Sequence, residues 1–256
     1  MNSLTPDAAA ALTRLRDTAE AYDRSWSFSL EGAVERRMLF FFPASRNATR
    51  RIARAATSLG MPETAVRRWT ETARDADALG LGMTDTRGSV RLYTQFWDQM
   101  VERVQAGDLS PFPVYRGTKA LPDGSLRDDA YLCEPMAPTD RILPPLLETC
   151  AAFGLDELAV ARAFRAIEGA DCIFTRTRGA GRDSWLVTVR RAHLDREALA
   201  SALEAWPLAE AAPDLREAAR SEPLLHVAGG TDPIKGRFLS FYFETGADEV
   251  SRLAGL

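Results

Sequence analysis

The strongest constraint in this sequence is a unit that recurs five times: two short strand-like runs joined by a turn, then helical chain. Residues 26–43, 79–97, 112–135, 171–191 and 223–244 each read as a β-hairpin, with strand-forming residues on both sides of a Gly-, Asp- or Arg-rich turn. Such turns are too short for a crossover, so each pair is antiparallel. If successive hairpins lie side by side, roughly ten strands make one continuous sheet with helices on one face. That sheet stays open or closes into a barrel, and closure removes the unpaired edges. Ten strands exceed the roughly eight at which side chains alone fill the interior, so the closed form leaves a lumen for a ligand.

The intervals read as helices. Residues 6–24 make a helix opened by Thr5 and Pro6. Ser45 or Asn47 caps a second with Ile52, Ala56 and Leu59 on one face, stopped by Gly60. A third starts at Pro62 and carries Val66, Trp69 and Ala73. Residues 98–106 form a short helical stretch. Residues 139–153 form another, which Pro144 and Pro145 are expected to bend or break. Helix 156–168 turns Leu158, Ala161, Phe164 and Ile167 inward, and helices 195–206 and 214–221 precede the last hairpin.

Composition narrows the class. The 256 residues suit one domain, with an ordinary 46% hydrophobic and 27% charged content. A net charge of −4 argues against broad nucleic-acid binding. No apolar run reaches the ~18–20 residues needed to span a bilayer, and the N-terminal segment lacks the pattern of a signal peptide. Cys133, Cys150 and Cys172 show neither metal spacing nor a paired framework, which fits a reduced, cytoplasmic setting. His193 and His226 read as structural or exposed. The GGTDPIKG turn at 229–236 lacks the GK[ST] ending of a phosphate loop.

Period two on the return strands separates two faces. Arg91, Tyr93 and Gln95 share one, as do Asp129, Tyr131 and Cys133, and Ser240, Tyr242 and Glu244. Their alternates, Leu92, Ala130, Leu132, Phe241 and Phe243, form an apolar set suited to packing under helices. The polar face is either a solvated side of an open sheet or a polar and aromatic lumen. Solvated faces are more often Thr, Lys and Glu, whereas this chain has two lysines in all, Lys119 and Lys235.

Three stretches carry a family resemblance: SLEGAVERRMLFFF (29–42), LGLGMTDTRGSVRLYTQFWD (79–98) and HVAGGTDPIKGRFLSFYFE (226–244). With the order of helices and hairpins, they resemble the ABBA aromatic prenyltransferases, and within them the peptide prenyltransferases of cyanobactin pathways. The resemblance implies an α+β fold: a single-domain, ten-stranded antiparallel β-barrel ringed by helices. It implies transfer of a dimethylallyl or geranyl group from its diphosphate to a nucleophilic side chain of a small, cyclic peptide or another aromatic acceptor. Arg37, Arg91, Lys119 and Arg237 would hold the diphosphate, with hydrogen bonds from Tyr93, Tyr131 and Tyr242; the arginine fork suits phosphate oxygens. The tyrosines, Tyr93 foremost, would shield the allyl cation. Glu31 falls where the family places the carboxylate that orients or deprotonates the acceptor. Mg²⁺ on the diphosphate is expected, with no protein metal site. Arg176 and Arg178 are the cations offered by the first strand of the fourth hairpin. The competing reading is a non-catalytic barrel or curved sheet that binds a hydrophobic molecule or partner peptide.

Overall fold

The five hairpins close on themselves. The computed structural model describes residues 4–84, 89–121, 123–168, 170, 172–179 and 181–256. The turn of the second hairpin (85–88), Pro122 of the third and Asp171, which opens the fourth, lie outside the described residues. The strands are β1 (Ala21–Ser29), β2 (Val34–Pro43), β3 (Ala78–Thr84), β4 (Val90–Gln95), β5 (Phe112–Ala120), β6 (Leu126–Glu134), β7 (Ile173–Gly179), β8 (Arg182–Thr188), β9 (Leu224–Asp232) and β10 (Gly236–Thr245). Each pairs antiparallel with its sequence neighbour, and β1 pairs with β10 from Ser29↔Phe238 to Tyr22↔Thr245. The result is a closed ten-stranded barrel.

Helices α1 (Pro6–Arg16), α2 (Arg46–Ser58), α3 (Glu63–Thr72) and α9 (Ala247–Ala254) surround one side. There Leu12, Ile52, Ala56, Trp69 and Val250 pack with the outward residues of β2 to β4, among them Met38, Phe40, Leu81 and Leu92. Helices α5 (Thr139–Ala152), α6 (Glu157–Phe164), α7 (Arg196–Glu204) and α8 (Pro213–Ser221) cover the other side. Leu146, Phe164, Leu203 and Leu215 meet Trp26, Phe28, Val187, Phe241 and Phe243 there. The apolar core is thus a sleeve between barrel and helices, outside the barrel wall. Thr5, Ser45, Asp156 and Asp195 accept from amides of the first turns of α1, α2, α6 and α7; each such cap contributes about 1 kcal/mol.

Four local expectations are corrected. The first helix ends at Arg16 rather than 24, and the chain enters β1 at Ala21, where Tyr22, Trp26 and Phe28 favour the pleat over a helical turn. Helix α5 runs unbroken through Pro144 and Pro145, because burial of Ile142, Leu146 and Cys150 outweighs the lost amide bonds. Leu158 is 83% exposed, and Val160 and Ala163 take the inward places on α6. Ala130 and Leu132 are exposed because α4 (Trp97–Gln105), with Met100 as its buried residue, is too short to reach the outer face of β6.

The β2–β1–β10–β9 register places directly paired residues in rows across the barrel wall. Arg37, Ser25, Tyr242 and His226 form one row, and Glu35, Ser27, Ser240 and Ala228 the next. On the opposite wall run Arg91–Lys119–Arg127 and Tyr93–Gly117–Asp129. Directly paired residues share a face, so these rows look into the lumen. The strand ends that lead into the five hairpin turns lie at one end of the barrel and those that lead to the helices at the other.

Candidate functional site

Two cavities lie within the barrel formed by the described residues, one towards each end. The cavity at the hairpin-turn mouth holds about 620 Å³, counting space open to solvent, and is lined by Arg37, Arg91, Lys119, Arg127, Arg182 and Lys235. The cavity at the helix-connection end holds about 600 Å³ and is lined by Asp23, Leu39, Phe41, Gln95, Tyr115 and His226 among others. Tyr93, Tyr131 and Tyr242 line both, so three phenols stand between a cationic chamber and a largely apolar one.

The cationic chamber is built from strand ends next to the turns. Period two on β2, β4, β5 and β6 aims Arg37, Arg91, Lys119 and Arg127 inward, and barrel closure brings Arg182 and Lys235 opposite them. Three carboxylates hold this group in place. Asp129 pairs with Arg182 at 2.5 Å and Arg127 at 3.3 Å, and Asp232 with Arg127 at 2.9 Å. Glu35 pairs with Arg37 at 2.7 Å, with Lys235, and with Arg91 at 3.7 Å. Among the described residues, six cations against three carboxylates leave a surplus of three positive charges in the mouth when every group is ionised.

Crowding shows in the titrations. Burial, then repulsion by Arg91, Arg127 and Arg37, pushes the Lys119 ammonium down to about 7. Burial and Arg91 lower Arg37 to about 10. The folded Lys119 pKa lies below the unfolded 10.5, so protonation opposes folding, and stability from this group rises with pH between about 7 and 10.5. An anion in the chamber restores the charged form and takes up a proton. Affinity for a diphosphate is therefore expected to fall above about pH 7, approaching tenfold per unit, in calorimetric titrations run from pH 6.5 to 9. Lys119→Arg is expected to make that slope shallower, because a guanidinium does not titrate there, leaving the part due to Lys235, which burial pushes down to about 8.

The phenols are fixed by close packing. Gly117 lets Tyr93 lie against β5: a Cβ there would meet the ring at 3.0 Å. Trp69 on α3 donates to the Tyr93 carbonyl at 3.1 Å, and the Tyr242 hydroxyl accepts from Arg37 at 3.2 Å. Arg182 sits 5.6 Å from the Tyr131 ring centroid.

At the far end Asp23 is 3% exposed. Burial, with Glu244 beside it and only partial relief from Arg190, pushes its carboxyl up to about 8. His226 Nδ1 lies 2.9 Å from Thr188 Oγ1, and its ring meets Tyr242 edge-on at 5.8 Å. Burial, then Arg190, pushes the imidazole down to about 4, so it is neutral near pH 7. The chamber therefore offers an aromatic and aliphatic bed with a proton-exchanging carboxyl and a neutral imidazole.

Of the residues expected from sequence, Arg37, Arg91, Lys119, Tyr93, Tyr131 and Tyr242 come together at this junction. Arg237 does not. It is exposed at the start of β10, and its odd spacing from Phe238 and Tyr242 turns it outward, as the bulge lies beyond Tyr242. Glu31 does not either: it is exposed in the β1–β2 turn, not on the strand. Arg176 and Arg178 pair with Glu134 and Asp183 outside the chamber, since the inward parity on β7 belongs to Thr175 and Thr177. Sequence reasoning missed Asp23, Glu35, Arg127, Arg182 and the inward aim of Lys235. For Asp23 a signal existed, in the alternation Asp23, Ser25, Ser27, Ser29 opposite Arg24, Trp26 and Phe28.

The described residues of the mouth do not fit a protein-held Mg²⁺: their three carboxylates are each committed to guanidinium or ammonium partners, and no group of three or more His, Cys, Asp or Glu among the described residues is arranged to hold a metal ion. No helix among the described residues is long and apolar enough to cross a membrane.

No protein-family model matches the sequence, and no curated protein matches it significantly. The fold does have solved counterparts. The 6-dimethylallyltryptophan synthase from Micromonospora olivasterospora, crystallised with DMASPP and Trp, aligns with a TM-score of 0.56 at 16% identity, covering 90% of this chain and 82% of that one. A second 6-dimethylallyl tryptophan synthase structure aligns with a TM-score of 0.55 at 15% identity, covering 90% and 81%. Identities this low establish the shared ABBA barrel fold.

Proposed function

We propose that this protein is a prenyltransferase that moves a dimethylallyl or geranyl group from its diphosphate to an electron-rich aromatic acceptor. The observation that carries this reading is the surplus of three positive charges facing a wall of phenols. A diphosphate monoester carries about three negative charges, and a convergent set of cations stabilises it most as it leaves. The donor's C1–O bond breaks heterolytically, and both electrons depart with the diphosphate into the cationic chamber. The allyl cation then lies among Tyr93, Tyr131 and Tyr242, whose faces attract it and exclude water. A ring carbon of the acceptor supplies the pair for the new C–C bond, and the ring proton passes to the Asp23 carboxylate. A group titrating near 8 exchanges protons well close to neutral pH.

An acceptor suited to this chamber is a flat ring with one polar hydrogen for Asp23. The small-peptide acceptor belongs here as part of the proposal: the ring would be presented by a tryptophan or tyrosine side chain. The Mg²⁺ expected from the resemblance has no ligand set among the described residues, so the protein's own cations carry the neutralisation, and no step is routed through the metal.

The test is thermal unfolding with dimethylallyl thiodiphosphate, run in EDTA and again with Mg²⁺. Ligand at 100-fold its dissociation constant adds about 2.7 kcal/mol, or roughly 5–10 °C for a chain of this size. That rise is expected in EDTA as well as in Mg²⁺. No rise in either condition would remove the prenyltransferase reading in favour of a barrel that binds other ligands. Incubation of dimethylallyl diphosphate with free tryptophan and with cyclic tryptophan peptides then identifies the acceptor.

A further inference from the structure

Glu35 is a carboxylate among cations that, on the proposed reading, exist to bind an anion. Its Oε2 accepts from Arg37 Nε at 2.8 Å, contacts Arg37 Nη2 at 2.7 Å and Lys235 Nζ, and lies 3.7 Å from Arg91 Nη2. These three cations all line the mouth cavity. The sequence Val34-Glu35-Arg36-Arg37 sends alternate residues to opposite faces, so Arg36 pairs outward with Asp214 at 3.3 Å while Glu35 and Arg37 turn inward. Lys235 rides on a fixed turn, because Asp232 Oδ1 accepts from the amides of Ile234 and Lys235 at 2.9 and 3.3 Å. The Glu35–Lys235 pair therefore ties β2 to the β9–β10 turn across β1 and β10.

Two further observations bear on what happens when another anion arrives. Arg37 has a second anchor in the Tyr242 hydroxyl at 3.2 Å, so it keeps its place without Glu35. Beside Glu35 in the same row stand Ser27 and Ser240, 3% and 0% exposed, whose hydroxyls have no hydrogen-bond partner among the described residues. Dry, unpartnered hydroxyls are costly. Ser27 is the direct cross-strand partner of Glu35, and Ser240 lies next to Ser27 on the same face.

We propose that Glu35 is a resident counter-anion. The donor's diphosphate takes its place on Arg37, Arg91 and Lys235, and the displaced carboxylate moves onto Ser27 and Ser240. After transfer, Glu35 returns to the cations and helps inorganic diphosphate leave. In this role it is a positioning residue that sets how tightly the chamber grips an anion, and it rests on the prenyltransferase reading above.

The test measures dissociation constants for dimethylallyl thiodiphosphate and inorganic diphosphate, with steady-state rates, on the full chain and on Glu35→Gln. The substitution is expected to tighten both ligands about tenfold, a factor equal to about 1.4 kcal/mol. It should lower the donor KM and make inorganic diphosphate a stronger product inhibitor while lowering kcat. Unchanged or weaker binding of both ligands would overturn the proposal, because a carboxylate that competes with the diphosphate for Arg37, Arg91 and Lys235 must weaken binding while it is present. Ser27→Ala is the second variant, and it keeps the question open if Glu35→Gln does not fold. It is expected to weaken donor binding about threefold, and unchanged binding would refute the displaced position. If the unmodified chain binds neither ligand, the prenyltransferase reading fails with it. If the unmodified chain binds both and the variants behave as controls, only the role of Glu35 is lost.

Discussion

Arg91→Ala is expected to lower kcat/KM for the allylic diphosphate by 10²–10³ while leaving the melting temperature within about 3 °C. Arg91 stands at the head of the row Arg91–Lys119–Arg127, beside Tyr93, at the junction of the two chambers. Its ion pair with Glu35 is long, 3.7 Å, and its hydrogen bonds go to the neutral hydroxyls of Ser89, at 3.3 Å, and Tyr93. Compare Arg24, whose guanidinium is committed to Glu222 at 2.7 Å and Glu249 at 2.5 Å. A fork so loosely engaged is available to a phosphate, and losing its paired hydrogen bonds to the leaving group costs about 2.7–4 kcal/mol of transition-state stabilisation. Stability is expected to hold because Arg91 repels its neighbours, lowering both Arg37 and Lys119. Arg91→Lys should recover part of the rate, since it restores the charge but not the fork. Steady-state kinetics beside differential scanning fluorimetry decide it; an unfolded Arg91→Ala variant would mean that the arginine is structural.

Asp23→Asn is expected to abolish most turnover, by 10² or more, and to raise the melting temperature at alkaline pH. The carboxyl titrates near 8 in the folded chain and 3.8 in the unfolded one, so the folded state holds the extra proton. Stability from this group is therefore fully present below about pH 4, declines as pH rises from 4 to 8, and is lowest above 8. Asparagine keeps the shape and cannot ionise. The variant should melt with the unmodified protein near pH 4 and above it at pH 9, by about 2–4 °C for each kcal/mol relieved. Donor binding should be unaffected, because Asp23 lines the far chamber. Melting curves across that range and donor titrations provide the measurement. An Asn variant less stable at pH 9 would show that the native carboxylate is charged and paired.

The fold was legible because the turn signals and the period-two pattern act locally: the antiparallel pairing follows from hairpin turns alone. The convergence of Arg37, Arg91, Lys119 and the three tyrosines followed from the same alternation, since Arg91 and Tyr93, or Asp129 and Tyr131, must share a face. What failed depended on boundaries and on closure. Reading the first helix to residue 24 hid Asp23 inside it, and Glu31, named from the resemblance, belongs to a turn outside the lumen. Arg237 already conflicted with Tyr242 by parity, and the strand kept the tyrosine inward. Arg127, Arg182 and Lys235 sit beside turns of three different hairpins, and nothing in their local sequence says that those turns share a mouth. Ala130 and Leu132 look like core positions by period, but core status requires a helix above them, and α4 is too short.

The rungs between β1 and β10 join residues more than 200 positions apart, and the row Arg37–Ser25–Tyr242–His226 lies across that join. No fragment lacking either end of the chain owns this row. A polypeptide still emerging from the ribosome thus lacks this row, and on the proposed reading any capacity to release a carbocation arrives together with the completed ring.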